Sequence, residues 1–146
     1  MLQDDDECTA DQQAAFTRSV AYFCGQHADC LVPGSRWALQ RAKRVVEMEY
    51  SVVGILERMN DTLAALEAYV PRFFAGAAHL YYGQGYSRRH ENRYFKTASK
   101  GNQSLDESVV RKLKRLLQSE YELYDFCQQR LHLQMRRVAN NQPTSN

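Results

Sequence analysis

The chain has 146 residues, enough for one domain with a core of its own. With 44% hydrophobic, 25% charged and 11% aromatic residues, it is not disordered, collagen-like or coiled coil throughout. The net charge of +2 is small but unevenly spread: residues 87–115 hold nine Lys/Arg against three acids, a local excess of six, while residues 4–7 read Asp-Asp-Asp-Glu. A basic segment of this kind suits an anionic partner, and it equally suits a solvated helix face. No run of 18 apolar residues occurs, so no transmembrane helix is expected. The acidic start, MLQDDDECTAD, lacks the basic and apolar regions of a signal peptide. On that reading the chain is either cytosolic or a piece of something longer.

In chain order, Thr9 and Gln12 resemble a capping box, after which Phe16, Val20 and Phe23 recur at helical spacing. That helix is predicted to stop at Gly25. Pro33 and Gly34 mark a loop, and Ser35 is placed to cap a helix from Arg36 to about Glu49, with Trp37, Leu39, Val45, Val46 and Met48 as its apolar surface. The β-branched run Ser51-Val-Val-Gly-Ile-Leu56 predicts one buried strand. A helix capped by Asn60 or Asp61 follows, and Pro71 ends or kinks it. No second convincing strand exists, so the sheet partners of 51–56 are expected elsewhere. Residues 83–101 read as a long basic, aromatic loop, of a length that is usually functional. Ser104 and Glu107 form a capping box, and Val109, Leu113, Leu116, Tyr121, Tyr124, Cys127 and Leu131 predict a helix of about seven turns behind it. The expectation is a mainly α chain of four to five helices with one strand, ending in a frayed tail.

Cys24 and Cys30 close a short loop as a disulfide in an oxidising compartment; in a reducing one they are two thiols, or with His27 part of a metal site. Cys8 has no obvious partner, and Cys127 sits on an apolar stripe as a buried thiol. Two sequons, Asn60-Asp-Thr62 and Asn102-Gln-Ser104, are candidate glycosylation sites in a secretory protein and equally readable as helix caps. No phosphate-binding glycine loop and no catalytic constellation can be assembled, so no catalytic residue is assigned. Lys96-Thr-Ala-Ser-Lys100, after Tyr94-Phe95, offers charge, hydroxyls and stacking surface to a phosphate or sulfate.

The order of Phe23-Cys-Gly25, Gly34-Ser-Arg-Trp-Ala38, Val53-Gly54, Leu66-Glu-Ala68, Pro71-Arg-Phe-Phe74, Leu80-Tyr81, Lys96-Thr97, Lys100 and the 120–126 stretch resembles the C-terminal part of the uronyl 2-O-sulfotransferases, insect Pipe-type members included. The resemblance covers roughly residues 6–132. It implies an α/β, P-loop-like sulfotransferase domain of which residues 1–139 are the C-terminal part, with 140–146 a disordered tail. It implies 3′-phosphoadenylyl sulfate as sulfuryl donor, no metal, a sulfated polysaccharide as acceptor and no nucleic-acid partner. A Golgi-lumen, type II membrane setting for the full-length protein is also implied; a homo-oligomer is a separate expectation, from the face that the long terminal helix offers to another subunit. The family's phosphate loop and histidine base are absent from this chain, which is therefore expected to be inactive alone, and the lone strand then belongs to a sheet completed upstream. Cys24–Cys30 resembles a family disulfide. Tyr81, Thr97 and Lys100 fall where the family's loop covers the donor, with Ser87 a weaker correspondence, because this loop is about five residues longer. Arg93, then Arg88 or Arg89, corresponds to the substrate-binding arginine. The alternatives are a stand-alone helical polyanion-binding module using residues 87–115, or an oligomerisation module, neither with catalysis.

Overall fold

The computed structural model describes residues 18–83 and 106–140. They form seven α-helices: α1 (Arg18–Cys24), α2 (Arg36–Met48), α3 (Met59–Tyr69), α4 (Pro71–Phe74), α5 (Ala77–Gly83), α6 (Glu107–Leu116) and α7 (Gln118–Asn140). Short 3-10 turns occupy Ala28–Leu31 and Leu56–Arg58. Among the described residues no helix is long and apolar enough to cross a membrane. The chain divides into two compact units, one of residues 1–50 with 107–127, the other of 51–106 with 128–146.

In the first unit α1 packs on α2. α1 stops at Cys24 because Gly25 takes φ +108°, a left-handed conformation that side chains with a Cβ rarely adopt. α2 starts where Ser35 accepts a hydrogen bond from the Ala38 N–H at 3.2 Å. Its buried residues, Ala38, Leu39, Ala42 and Val46, lie on one face at helical spacing. Trp37 and Met48, expected on that apolar surface, are exposed instead. Position explains this, because both lie off the face that the buried set defines. Leu123 and Cys127 of α7 complete the core. The Glu120 carboxylate accepts from the backbone N–H groups of Ser19 and Val20 at 3.2–3.3 Å, satisfying orphan donors in the first turn of α1 from 100 residues away. Lys43 meets Glu122 at 3.8 Å and lies over the Phe126 ring, tying α2 to α7.

In the second unit the predicted strand is not formed. Residues 52–55 are extended at Ile55 (φ −118°, ψ 120°) but pair with no neighbour, and among the described residues there is no strand at all. The physical reason is that a strand without a ladder has no backbone partners. A side chain replaces the ladder: the Thr62 hydroxyl accepts from the Ile55 N–H at 2.9 Å and donates to the Ile55 carbonyl at 3.0 Å. Gly54 permits this close approach, since a Cβ there would overlap the Thr62 methyl. Gln134 of α7 donates to the Ser51 carbonyl at 2.6 Å. Ile55, Leu63, Ala65 and Leu131 form the buried apolar set.

Helix α3 begins one residue before Asn60, with Arg58 at its cap position and no side-chain cap bond. Asp61 instead sits in the first turn and pairs with Arg58 at 2.6 Å, where its charge complements the helix dipole. Val70 ends α3, and Pro71 opens α4 at the position where its missing N–H costs nothing. The count exceeds the expected four to five helices because Pro71, and Gly76 at φ +79°, cut one long segment into three. The predicted seven-turn helix likewise divides into α6 and α7 at Leu117. The interruption is slight, because Leu117 still donates to Leu113 and accepts from Tyr121. Asn140, expected in the tail, is the last residue of α7.

Candidate functional site

Of the residues expected at the donor and acceptor sites, Tyr81 is the one within the described residues; Ser87, Arg88, Arg89, Arg93, Thr97 and Lys100 lie outside them, as does the candidate glycosylation site Asn102. Tyr81 is half-buried in α5, two residues before that helix ends and the basic segment begins. It packs edge-to-face with Tyr82, ring centroids 5.0 Å apart at 84°. The helix that carries it is anchored to α3, because Glu67 accepts from the Ala78 N–H at 2.9 Å. A carboxylate on the first-turn N–H groups both caps α5 and fixes its direction. Phe73 of α4 and Leu80 of α5 are exposed.

Cys24 and Cys30 are joined by a disulfide, Cα atoms 5.6 Å apart. With both sulfurs in the bridge, the alternative of two thiolates and His27 around a metal is closed. Both cystine residues are buried, whereas the loop between them is exposed. Cys127 is a buried thiol; Cys8 lies outside the described residues. Asn60 is exposed in the first turn of α3, and the hydroxyl of its sequon partner Thr62 is occupied by Ile55.

Three features escaped the sequence reading. The Glu120 clamp and the Gln134–Ser51 bond join residues far apart in the chain, with no local signal. The third is a stacked cluster over the disulfide: the His27 and Trp37 rings lie 5.2 Å apart, and the Arg41 guanidinium lies 5.7 Å from the Trp37 ring centroid. Arg41 Nε donates to the Cys24 carbonyl at 2.8 Å. The i, i+4 spacing of Trp37 and Arg41 was the available signal. Nearby, Tyr22, Phe23 and Tyr50 form a chain of edge-to-face contacts. The Tyr50 phenol is held above the ordinary tyrosine value, first by desolvation, then by Tyr22 and by the Glu49 carboxylate.

No family model matches the chain. Its likeness to individual proteins is nonetheless extensive, and the chain belongs to the family of uronyl and heparan sulfate 2-O-sulfotransferases. It is 42% identical over 120 residues to the uronyl 2-sulfotransferase homolog pip of Drosophila melanogaster, which covers 80% of this chain and 22% of that protein. It is 35% identical over 120 residues to the human uronyl 2-sulfotransferase, covering 82% of this chain and 28% of that protein. Against heparan sulfate 2-O-sulfotransferase 1 of Xenopus laevis it is 37% identical over 109 residues, covering 74% and 29%. The chain thus spans between a fifth and a third of the length of these relatives.

Proposed function

We propose that this chain is the C-terminal segment of a polysaccharide 2-O-sulfotransferase. The whole enzyme would move a sulfuryl group from 3′-phosphoadenylyl sulfate to the 2-hydroxyl of a uronic acid in a glycosaminoglycan. The observation that carries this reading is the collinear identity with enzymes named for that reaction over about four-fifths of the chain. In the transfer, the sugar hydroxyl oxygen forms a bond to sulfur as the bond from sulfur to the donor phosphate breaks. The hydroxyl proton passes to a base, and no His-x-His pair and no glycine-rich phosphate loop is found among the motifs of this sequence.

What this chain would contribute is a cover for the nucleotide and a grip on the acceptor. Tyr81 offers a ring held in place by Tyr82 and by the Glu67 anchor of α5. Ser87, Thr97 and Lys100 follow in the basic segment and would supply hydroxyl donors and an ammonium to the donor phosphates. Arg93, or Arg88 or Arg89, would take the acceptor's carboxylate or sulfate through a planar fork. The setting we infer is the Golgi lumen, where the Cys24–Cys30 bridge is stable and the sequons at Asn60 and Asn102 become candidate glycosylation sites.

The test is to read the transcript upstream of Met1, express the complete reading frame through the secretory pathway and assay transfer of radiolabelled sulfate to desulfated heparin and dermatan. Transfer by the full protein, none by residues 1–146, and a loss of at least tenfold in Lys100→Ala is the expected pattern. A stop codon directly upstream, or a full protein that transfers nothing, would sink the reading. One observation favours a second reading, a non-catalytic polyanion binder. Arg111, Lys112, Lys114 and Arg115 are all exposed on α6. Under that reading the short chain binds duplex DNA and heparin alike.

A further inference from the structure

The face of the first unit above the disulfide carries a combination of groups that packing does not account for. Trp37 is 46% exposed on the first turn of α2 although it is the one tryptophan in the chain. An aromatic ring of that size left in water suggests a surface for contact rather than a failure to pack. Its neighbours are cationic or polar. Arg41 lies over the ring, and its Nε bond to the Cys24 carbonyl holds the guanidinium plane while the residue stays exposed. His27 meets the same ring from the loop closed by the disulfide, and its Nδ1 lies 3.2 Å from the Asp29 N–H, which donates to it. Arg44, one turn beyond Arg41, is exposed. Trp37, Arg41 and Arg44 stand at i, i+4 and i+7, one ridge of α2 about 10 Å long. Lys43 points elsewhere, to Glu122 and Phe126. Asp29 lies 3.4 Å from His27 Nδ1 and Glu47 follows Arg44 by one turn, whereas residues 36–46 of α2 hold Arg36, Arg41, Lys43 and Arg44 and no acid, so the stretch that carries the ridge is cationic.

We propose that this ridge is an acidic-polysaccharide contact outside the donor and acceptor sites assigned above. The apolar face of a pyranose ring lies on Trp37, and its carboxylate or sulfate groups pair with the forks of Arg41 and Arg44. Charge complementarity selects this occupant. The fixed planar donors of arginine match carboxylate and sulfate, and an aromatic ring flanked by such donors suits a chain that alternates apolar ring faces with anionic groups. The disulfide has a part in it, because it holds His27 and the Cys24 carbonyl in register with α2. The proposal rests on the reading of the acceptor as a glycosaminoglycan, and it assigns a second place where such a chain touches the protein.

The single tryptophan makes the site report on itself. The intact 146-residue chain is titrated with a size-defined heparin octasaccharide, following Trp37 emission and, independently, heat. A saturable emission change whose midpoint weakens with salt is expected, with Arg44→Gln binding about two- to fivefold more weakly, as for loss of one exposed charge pair. Arg41→Lys, which keeps the charge but not the fork, should weaken binding similarly. Heparin binding that appears in the heat signal but leaves Trp37 silent and is indifferent to Arg44→Gln overturns the proposal. So does absence of binding, or an equal response to a DNA duplex of matched charge. Each of these results leaves the sulfuryl-transfer assay of the full protein standing. Failure of that assay with an intact Trp37 response would remove the enzyme reading and leave the glycan contact.

Discussion

Replacing Thr62 by valine keeps its shape and deletes the hydroxyl that serves both polar groups of Ile55, one of the most buried residues of the second unit. Two buried backbone groups then lose their partner, and Thr62→Val should cost about 2–3 kcal/mol in urea denaturation, with Thr62→Ser retaining most of the stability. Gly54→Ala tests the same knot sterically and should be destabilising too, because the added methyl meets the Thr62 side chain. A different residue bears on the alkaline limb. The Tyr50 phenol is raised above 10.0 in the folded chain, so the native state holds that proton more tightly than the unfolded one. Its contribution is therefore intact below pH 10 and is lost as pH rises through the folded-state value. Tyr50→Phe should flatten the fall in stability above pH 10, as read from denaturation midpoints at pH 9 and pH 11; an unchanged slope would rule out Tyr50 as its source.

At the scale of elements, local rules were readable in advance and long-range ones were not. The Ser35 cap, the Gly25 stop and the break at Pro71 follow from residues within four positions of one another, and each is where the sequence placed it. The strand at 51–56 failed because extended backbone becomes a strand only when another edge pairs with it, a property of the partner rather than of the segment. Gln134 occupies an apolar stripe at 6% exposure, and only the Ser51 carbonyl, 83 residues away, explains it. Much the same holds for the candidate site. Tyr81 was assigned through family resemblance alone, and Trp37, counted in the apolar surface of α2, stands about 180° around the helix from Val46, so the helical period itself sets it apart from the buried face. The Glu120 clamp gives a test of such long-range ties. Glu120→Gln keeps the size but loses the charge on the α1 N-terminus, and should cost about 1 kcal/mol by thermal or urea unfolding. Cutting the Cys24–Cys30 bridge, by reduction or by paired serine substitution, should cost about 2 kcal/mol for so short a loop.

For the whole molecule, the order in which the units are written along the chain has its own consequence. The first unit takes residues up to Tyr50 and then Glu107–Cys127, with 56 residues of the other unit's sequence in between. A ribosome adding about 5–20 residues per second makes the earlier part wait roughly 3–11 s for the later one. Until Glu120 emerges, the first amides of α1 lack their carboxylate, and Leu123 and Cys127 are not there to complete the core of the unit. Through that interval the seven-residue cystine loop is a covalent closure the early segment can make from its own residues, and it needs nothing downstream. A bridge that adds only modestly to the finished fold thus becomes a placeholder during synthesis. Pulse-labelled, release-arrested chains ending near residue 100 should already carry it in an oxidising lumen, while protection of α1 from proteolysis should wait until residue 127 has left the tunnel.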